Sequence, residues 1–270
     1  AAVNLLKSII PPPTAAERRQ NLLKAQEKLL GYGVTSVHDF DRAPCFAALQ
    51  QMDADGSLVL RVLKSLPVEQ LDEAIALGIG SGFGNRHLRI GSVKMFSDGA
   101  LGPQTAALLS PYEGTTSNYG KLLLSAEEVY QTGVRAVTSG VSLAVHAIGD
   151  RANHEVLTGL KMLRLYEEEH HLPRLRHRVE HMQLLDPEDR PLAATLDICA
   201  SMQPVHLYMD MKTAETHWGK RSANAFPIAS LAAAGALIVF GSDAPVETPN
   251  PFWGLHAAVT RQRLDGSPAP

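Results

Sequence analysis

Four side chains able to hold or activate a metal stand at comparable places along the chain. Lys94 lies inside an apolar run within residues 88–102, LRIGSVKMFSDGALG, close to where that run turns polar. His146 falls near the end of SLAVHAI, His181 ends RHRVEH, and Asp243 follows LIVFGS. Two imidazoles and a carboxylate are common ligands of zinc and similar divalent ions. Such an ion brings the pKa of bound water down to about 7 and polarises a carbonyl, a combination suited to hydrolysis. Each residue also has a plainer reading. Lys94 could snorkel or pair with Asp98, because an unpaired buried lysine is costly. His146 could be a core histidine, His181 an ion-pair partner beside Glu180 and near Arg178, and Asp243 a turn cap before Ala244 and Pro245. Their shared position favours the metal reading, since all four fall at the ends of expected strands. His38 and Asp39 fill a similar place on the first visible strand and rank below them.

The elements that must position these residues follow from periodicity. Strands are expected over 33–40, 58–66, 90–96, 142–148, 176–184, 197–205 and 237–240, rich in β-branched and apolar residues. Helices are expected between them. Thr14 with Glu17, and Ser125 with Glu128, form capping boxes that open helices ending near Gly31 and Val137. Further helices are expected over 45–52, 68–77, 151–169, 187–195, 227–234 and 252–263, and a short amphipathic one over 1–10, stopped by Pro11, Pro12 and Pro13. Residues 99–125 form a connection long enough to act as a lid, and 208–221 a second loop that would shape specificity.

Alternating β and α units imply a parallel sheet. Roughly 250 residues of them, with polar groups at strand C-termini, imply an α/β fold of the (β/α)8 TIM-barrel type. Only seven of the eight strands are visible, so the barrel is expected to be incomplete, with unpaired edges on its first and last strands. No G-x-G-x-x-G follows a first strand, which argues against a dinucleotide-binding sheet. The chain divides into N-terminal helices over 1–32, a partial barrel over 33–263 and a tail over 264–270.

Composition narrows the partners. The net charge of -3, with 45% hydrophobic and 20% charged residues, describes an ordinary globular chain with no electrostatic call on nucleic acid or an anionic membrane. No apolar run approaches the ~20 residues of a membrane span. The first residues lack the pattern of a signal peptide, and Cys45 and Cys199 cannot build a disulfide framework, so a reducing cytoplasm is the expected compartment. The expected partner is a small molecule, with a homo-oligomer kept as an alternative to a single chain.

Five blocks in this order, VKMFSDGALGPQTAAL, HAIGDRAN, RHRVEHMQ, SMQPVH and LIVFGSDAPVETPNP, resemble the amidohydrolase superfamily, and within it the YtcJ-like branch called amidohydrolase family 3. The likeness runs from GVTSVHD at residue 33 onward. It implies a distorted TIM barrel with a metal at its mouth, zinc foremost, as one ion or two. It implies His146, His181 and Asp243 as ligands, and Lys94 as a carboxylated lysine bridging two metals, since a neutral buried amine can take up carbon dioxide. Asp243 would also be the catalytic proton shuttle between water and the leaving amine. Gln203, His206 and Asp98 would lie beside an amide or cyclic amide substrate.

One departure matters. The family's first strand carries an H-x-H pair, and none occurs in these 270 residues. The chain is therefore expected to be an internal fragment, strands two to eight, with weak or incomplete metal binding and little hydrolysis by itself. The alternative function is a non-catalytic barrel serving as a binding or assembly module.

Overall fold

A computed structural model describes residues 9–268. The helix expected over 1–10 lies almost entirely outside the described residues, as does the end of the tail. Among the described residues, seven strands form one sheet: β1 (Ser36–Asp39), β2 (Arg61–Pro67), β3 (Leu88–Phe96), β4 (Leu143–Ala147), β5 (Arg178–His181), β6 (Cys199–Met202) and β7 (Leu237–Phe240). They pair in chain order, and every pair is parallel. The helices are α1 (Ala15–Gly31), α2 (Ala43–Ala54), α3 (Leu71–Ala76), α4 (Ala126–Thr138), α5 (Asp150–Glu169), α6 (Arg190–Thr195), α7 (Pro204–Trp218), α8 (Ile228–Ala233) and α9 (Pro251–Thr260). This is the expected α/β architecture, a partial barrel with seven strands.

Both capping boxes form. The Thr14 hydroxyl accepts the Glu17 N–H at 3.2 Å, and the Glu17 carboxylate accepts the Thr14 N–H at 2.8 Å. Ser125 and Glu128 do the same for α4. Each satisfies donors that a helix start leaves orphaned.

The alternation of side chains along each strand sorts the sheet into two faces. Val93, Leu143, Val145, Val179 and Ala200 point outward and pack against Val129, Leu157, Leu160 and Leu163 of α4 and α5. Burying a leucine contributes roughly 1.5–3 kcal/mol, so this outer layer holds the fold. The two helices approach closely because Gly133 and Gly159 lie at the contact. A Cβ on Gly133 would press on Leu163, and one on Gly159 on Val129 and the Ala126 carbonyl. The inner face is polar. Lys94, Arg178, Glu180 and Ser201 line it, and the Arg178 guanidinium reaches the His38 imidazole on β1. That contact requires the sheet to curl. Among the described residues no strand joins β7 to β1, and on β7 Leu237 and Phe240 remain 38% and 43% exposed.

Residues 208–221, expected as a loop, are mostly helical. Pro204 does not merely end the preceding strand but stands in the first turn of α7, where its missing N–H costs nothing. The helix runs fifteen residues to Trp218. The connection over 99–125 is also less free than a lid. Leu101, Leu108 and Tyr112 pack with Trp218 and Phe226 in a separate apolar cluster, and Arg221 donates to the carbonyls of Ser110 and Pro111.

Candidate metal centre

Parallel strands in one register bring their C-terminal ends to one mouth. Phe96 on β3 faces His146 on β4, which faces Glu180 on β5, which faces Ser201 on β6. His181 follows Glu180 directly, with a left-handed backbone (φ 78°) that bends it away from simple strand geometry. His206 lies in the first turn of α7, carried there by Pro204. Asp243 follows β7, again with a positive φ of 55°.

These last three residues converge. One potential ligand atom from each of His181, His206 and Asp243 lies within 4.8 Å of the others. Nδ1 of His181 and Nε2 of His206 are buried and have no hydrogen-bond partner. A buried nitrogen without a partner costs on the order of 1–3 kcal/mol, and an ion bound to it would remove that cost. Two nitrogens and one carboxylate oxygen suit a borderline divalent cation. The residues present therefore fit a metal.

The electrostatics agree. Burial, followed by the charges of His146, Lys94 and His206, holds His181 well below the usual imidazole range, so it is neutral as a ligand must be. Loss of hydration raises the Asp243 carboxyl above its ordinary value, against the pull of His206, Lys94 and His146. Burial pushes the Lys94 amine down to about 8, although Glu180 and Asp243 draw it upward. Its Nζ lies 4.6 Å from the Phe96 ring centre and 5.1 Å from that of Phe40.

His146 adjoins the group without being one of its three members. Its ring centre is 4.5 Å from that of His181, and its Nε2–H donates to the Gly99 carbonyl at 2.8 Å. Gln203 is buried and donates to the Ser201 carbonyl at 3.1 Å. Asp98, expected beside the substrate, is 2% exposed. Its carboxylate accepts the backbone N–H groups of Ala107, Ile148 and Gly149, a placement that suits a support rather than a substrate contact. His206 moves the other way, from an expected substrate contact to a candidate ligand. Glu180, on which the sequence reading placed no function, is buried and shares the inner face with Lys94. Its spacing of two from Arg178 on one strand was the available signal.

A parallel partial barrel with a His–His–Asp group at the C-terminal mouth defines the class of metallohydrolase-like barrels. The chain belongs to the amidohydrolase family, whose model matches residues 1–268. It is 30% identical over 275 residues to Protein LONG AFTER FAR-RED 3 of Arabidopsis thaliana, covering 97% of this chain and 47% of that protein. It is 35% identical over 178 residues to "Putative amidohydrolase YtcJ" of Bacillus subtilis (strain 168), covering 65% of this chain and 32% of the relative. Among solved structures, an uncharacterized metal-dependent hydrolase from Pyrococcus furiosus matches with a TM-score of 0.82 at 29% identity, over 92% of this chain and 50% of that one. The chain thus spans about half the length of these relatives, or less. No helix among the described residues is long and apolar enough to cross a membrane.

Proposed function

We propose that this chain forms most of the catalytic barrel of a metal-dependent hydrolase that cleaves amide-type C–N bonds, in open or cyclic amides. The observation that carries the reading is the pair of buried, unpartnered imidazole nitrogens, on His181 and His206, in a group closed by Asp243. These residues would hold a divalent ion, with zinc the best match to the donor set, and His146 stands beside them as the next donor. The ion when bound would polarise the substrate carbonyl and acidify water. The remaining steps fall to the chain's own groups. Asp243, with its raised carboxyl pKa, takes the proton that the attacking water gives up and passes it to the nitrogen as the C–N bond breaks. Gln203 and the inner face of the mouth orient the amide. Lys94, with its amine near 8, has the free-base fraction that uptake of carbon dioxide requires, and as a carbamate it would supply oxygen ligands to a second ion.

The test is a panel of linear and cyclic amides given to the full-length parent protein, with and without a chelator. Hydrolysis that chelation abolishes and zinc restores, and that Asp243→Asn lowers by about 10²–10⁴-fold with the fold intact, supports the reading. Undiminished turnover in Asp243→Asn would refute the proton assignment. The second reading, a barrel that binds or assembles without catalysis, draws on the outer edges of β1 and β7, which no strand among the described residues covers. A full-length parent that takes up no metal and cleaves no amide would favour it.

A further inference from the structure

Asp98 is the most completely engaged carboxylate near the mouth, and the hydrolase reading gives it no chemistry. It follows β3 and is sealed from solvent. One oxygen accepts the Ile148 N–H at 3.1 Å and lies 3.3 Å from Nε2 of His146. The other accepts the N–H groups of Ala107 at 2.9 Å and Gly149 at 2.8 Å. The carboxylate therefore joins three segments: the start of the long connection, the turn between β4 and α5, and the His146 ring. Two glycines permit this approach. A Cβ on Gly99 would collide with Thr105, and one on Gly149 with the Ala107 carbonyl.

The atoms around Nε2 of His146 determine which ring nitrogen carries the proton. The Gly99 carbonyl at 2.8 Å can only accept. Nε2 is therefore the donor, which leaves Nδ1 as the nitrogen that can turn a lone pair to a metal. A histidine that ligates a metal through one nitrogen almost always donates from the other to a carbonyl or carboxylate, which orients the ring and raises its basicity. His146 has that outer partner set already built.

We propose that Asp98 is a positioning residue. Its three backbone N–H bonds fix the segment that presents the Gly99 carbonyl to Nε2–H of His146, and they fasten the long connection beneath that ring. This keeps the ring in the Nε2–H tautomer, with Nδ1 as the donor available to the candidate metal. The metal half of this inference rests on the hydrolase reading; the tautomer half does not.

The experiment uses protein labelled with nitrogen-15 at histidine, with His146 assigned by loss of its signals in His146→Gln. The metal-free ring is expected as the Nε2–H tautomer, with a slowly exchanging Nε2 proton. Asp98→Asn should let the ring populate the other tautomer and lower zinc affinity about 10–100-fold, the usual cost of losing such an outer partner. Asp150→Asn is the control. Asp150 is also buried and accepts backbone N–H groups, from Leu109 and Arg151, so its loss should cost stability but leave the His146 tautomer and zinc affinity unchanged. A wild-type His146 protonated at Nδ1, or an Asp98→Asn variant with unchanged tautomer and zinc affinity, overturns the proposal. Should Asp98→Asn fail to fold, the wild-type tautomer and the exchange rate of its Nε2 proton decide. Full-length parent protein that binds no zinc would count against the hydrolase reading, while the ring tautomer still tests Asp98.

Discussion

The guanidinium of Arg178 on β5 hydrogen-bonds Nδ1 of His38 on β1, linking strands four places apart in the sheet. The same guanidinium grips Glu180 through Nε at 2.7 Å and Ser201 on β6 at 2.8 Å. Arg178 is thus a brace across the barrel interior and the ion-pair partner of Glu180. Replacing Arg178 by Met should destabilise the fold by about 3–5 kcal/mol, because it leaves a buried carboxylate unpaired. Adding Glu180→Gln should recover much of the loss. Urea titrations of the two variants check this. A cost below roughly 1 kcal/mol for Arg178→Met would mean the pair is no brace.

Acid should weaken the fold before it reaches the ordinary carboxylate range. His177 is fully buried; its Nδ1 accepts the Leu143 N–H at 3.1 Å, and its Nε2 faces Glu167 at 3.1 Å. Protonating Nδ1 would break the first contact. Burial holds the imidazole below 6.5 despite the Glu167 hydrogen bond, and Arg164 adds to the lowering. A histidine with a depressed folded-state pKa binds fewer protons folded than unfolded. Its contribution is complete above 6.5 and is lost as pH falls below that value. Burial pushes Glu167 up, but its bonds to His177 and Arg164 outweigh this and hold it below 4.5, so further acid acts in the same direction. Urea midpoints should fall between about pH 7.5 and about pH 5.5, by at most about 1.4 kcal/mol per pH unit for each proton taken up. His177→Gln should flatten that dependence. An equal slope in the variant would assign the effect elsewhere.

Gly149 and Gly102 offer a matched pair of substitutions. Gly149 has an ordinary φ of -75°, so only the collision with the Ala107 carbonyl opposes a side chain there. Gly149→Ala should cost about 1–3 kcal/mol as the 99–107 segment is pushed off Asp98. Gly102 has open space around it, and Gly102→Ala should stay within about 0.5 kcal/mol of wild type. Thermal unfolding of both variants tests this. Equal midpoints would show that the segment yields freely.

What could be read from the chain beforehand depended on local signals. The capping boxes at Thr14 and Ser125 are complete within four residues, and β7 appears where the run LIVF lies between a glycine turn and GSD. The alternation of strands and helices was enough for a parallel sheet. Residues whose role depends on neighbours distant in the chain were harder. His206 was expected beside the substrate from its block, SMQPVH; the helix that begins at Pro204 carries its imidazole into the group with His181 and Asp243, which no local signal announces. Asp98 was expected beside the substrate, but its partners are backbone groups up to fifty-one residues away. No role was read for Glu180: its spacing of two from Arg178 puts the pair on one face, but nothing local announces that Lys94, from another strand, shares that face.

The account depends most on His206, because it alone among the three converging residues was not expected to be a ligand. Zinc affinity by equilibrium dialysis, compared across wild type, His181→Ala, His206→Ala, Asp243→Ala and His154→Ala, tests it directly. His154 pairs with Asp189 on α5, away from the group, and serves as the control. Whatever the absolute affinity, each of the first three substitutions should weaken binding by roughly tenfold or more, with His154→Ala unchanged. Wild-type affinity in His206→Ala would contradict the account.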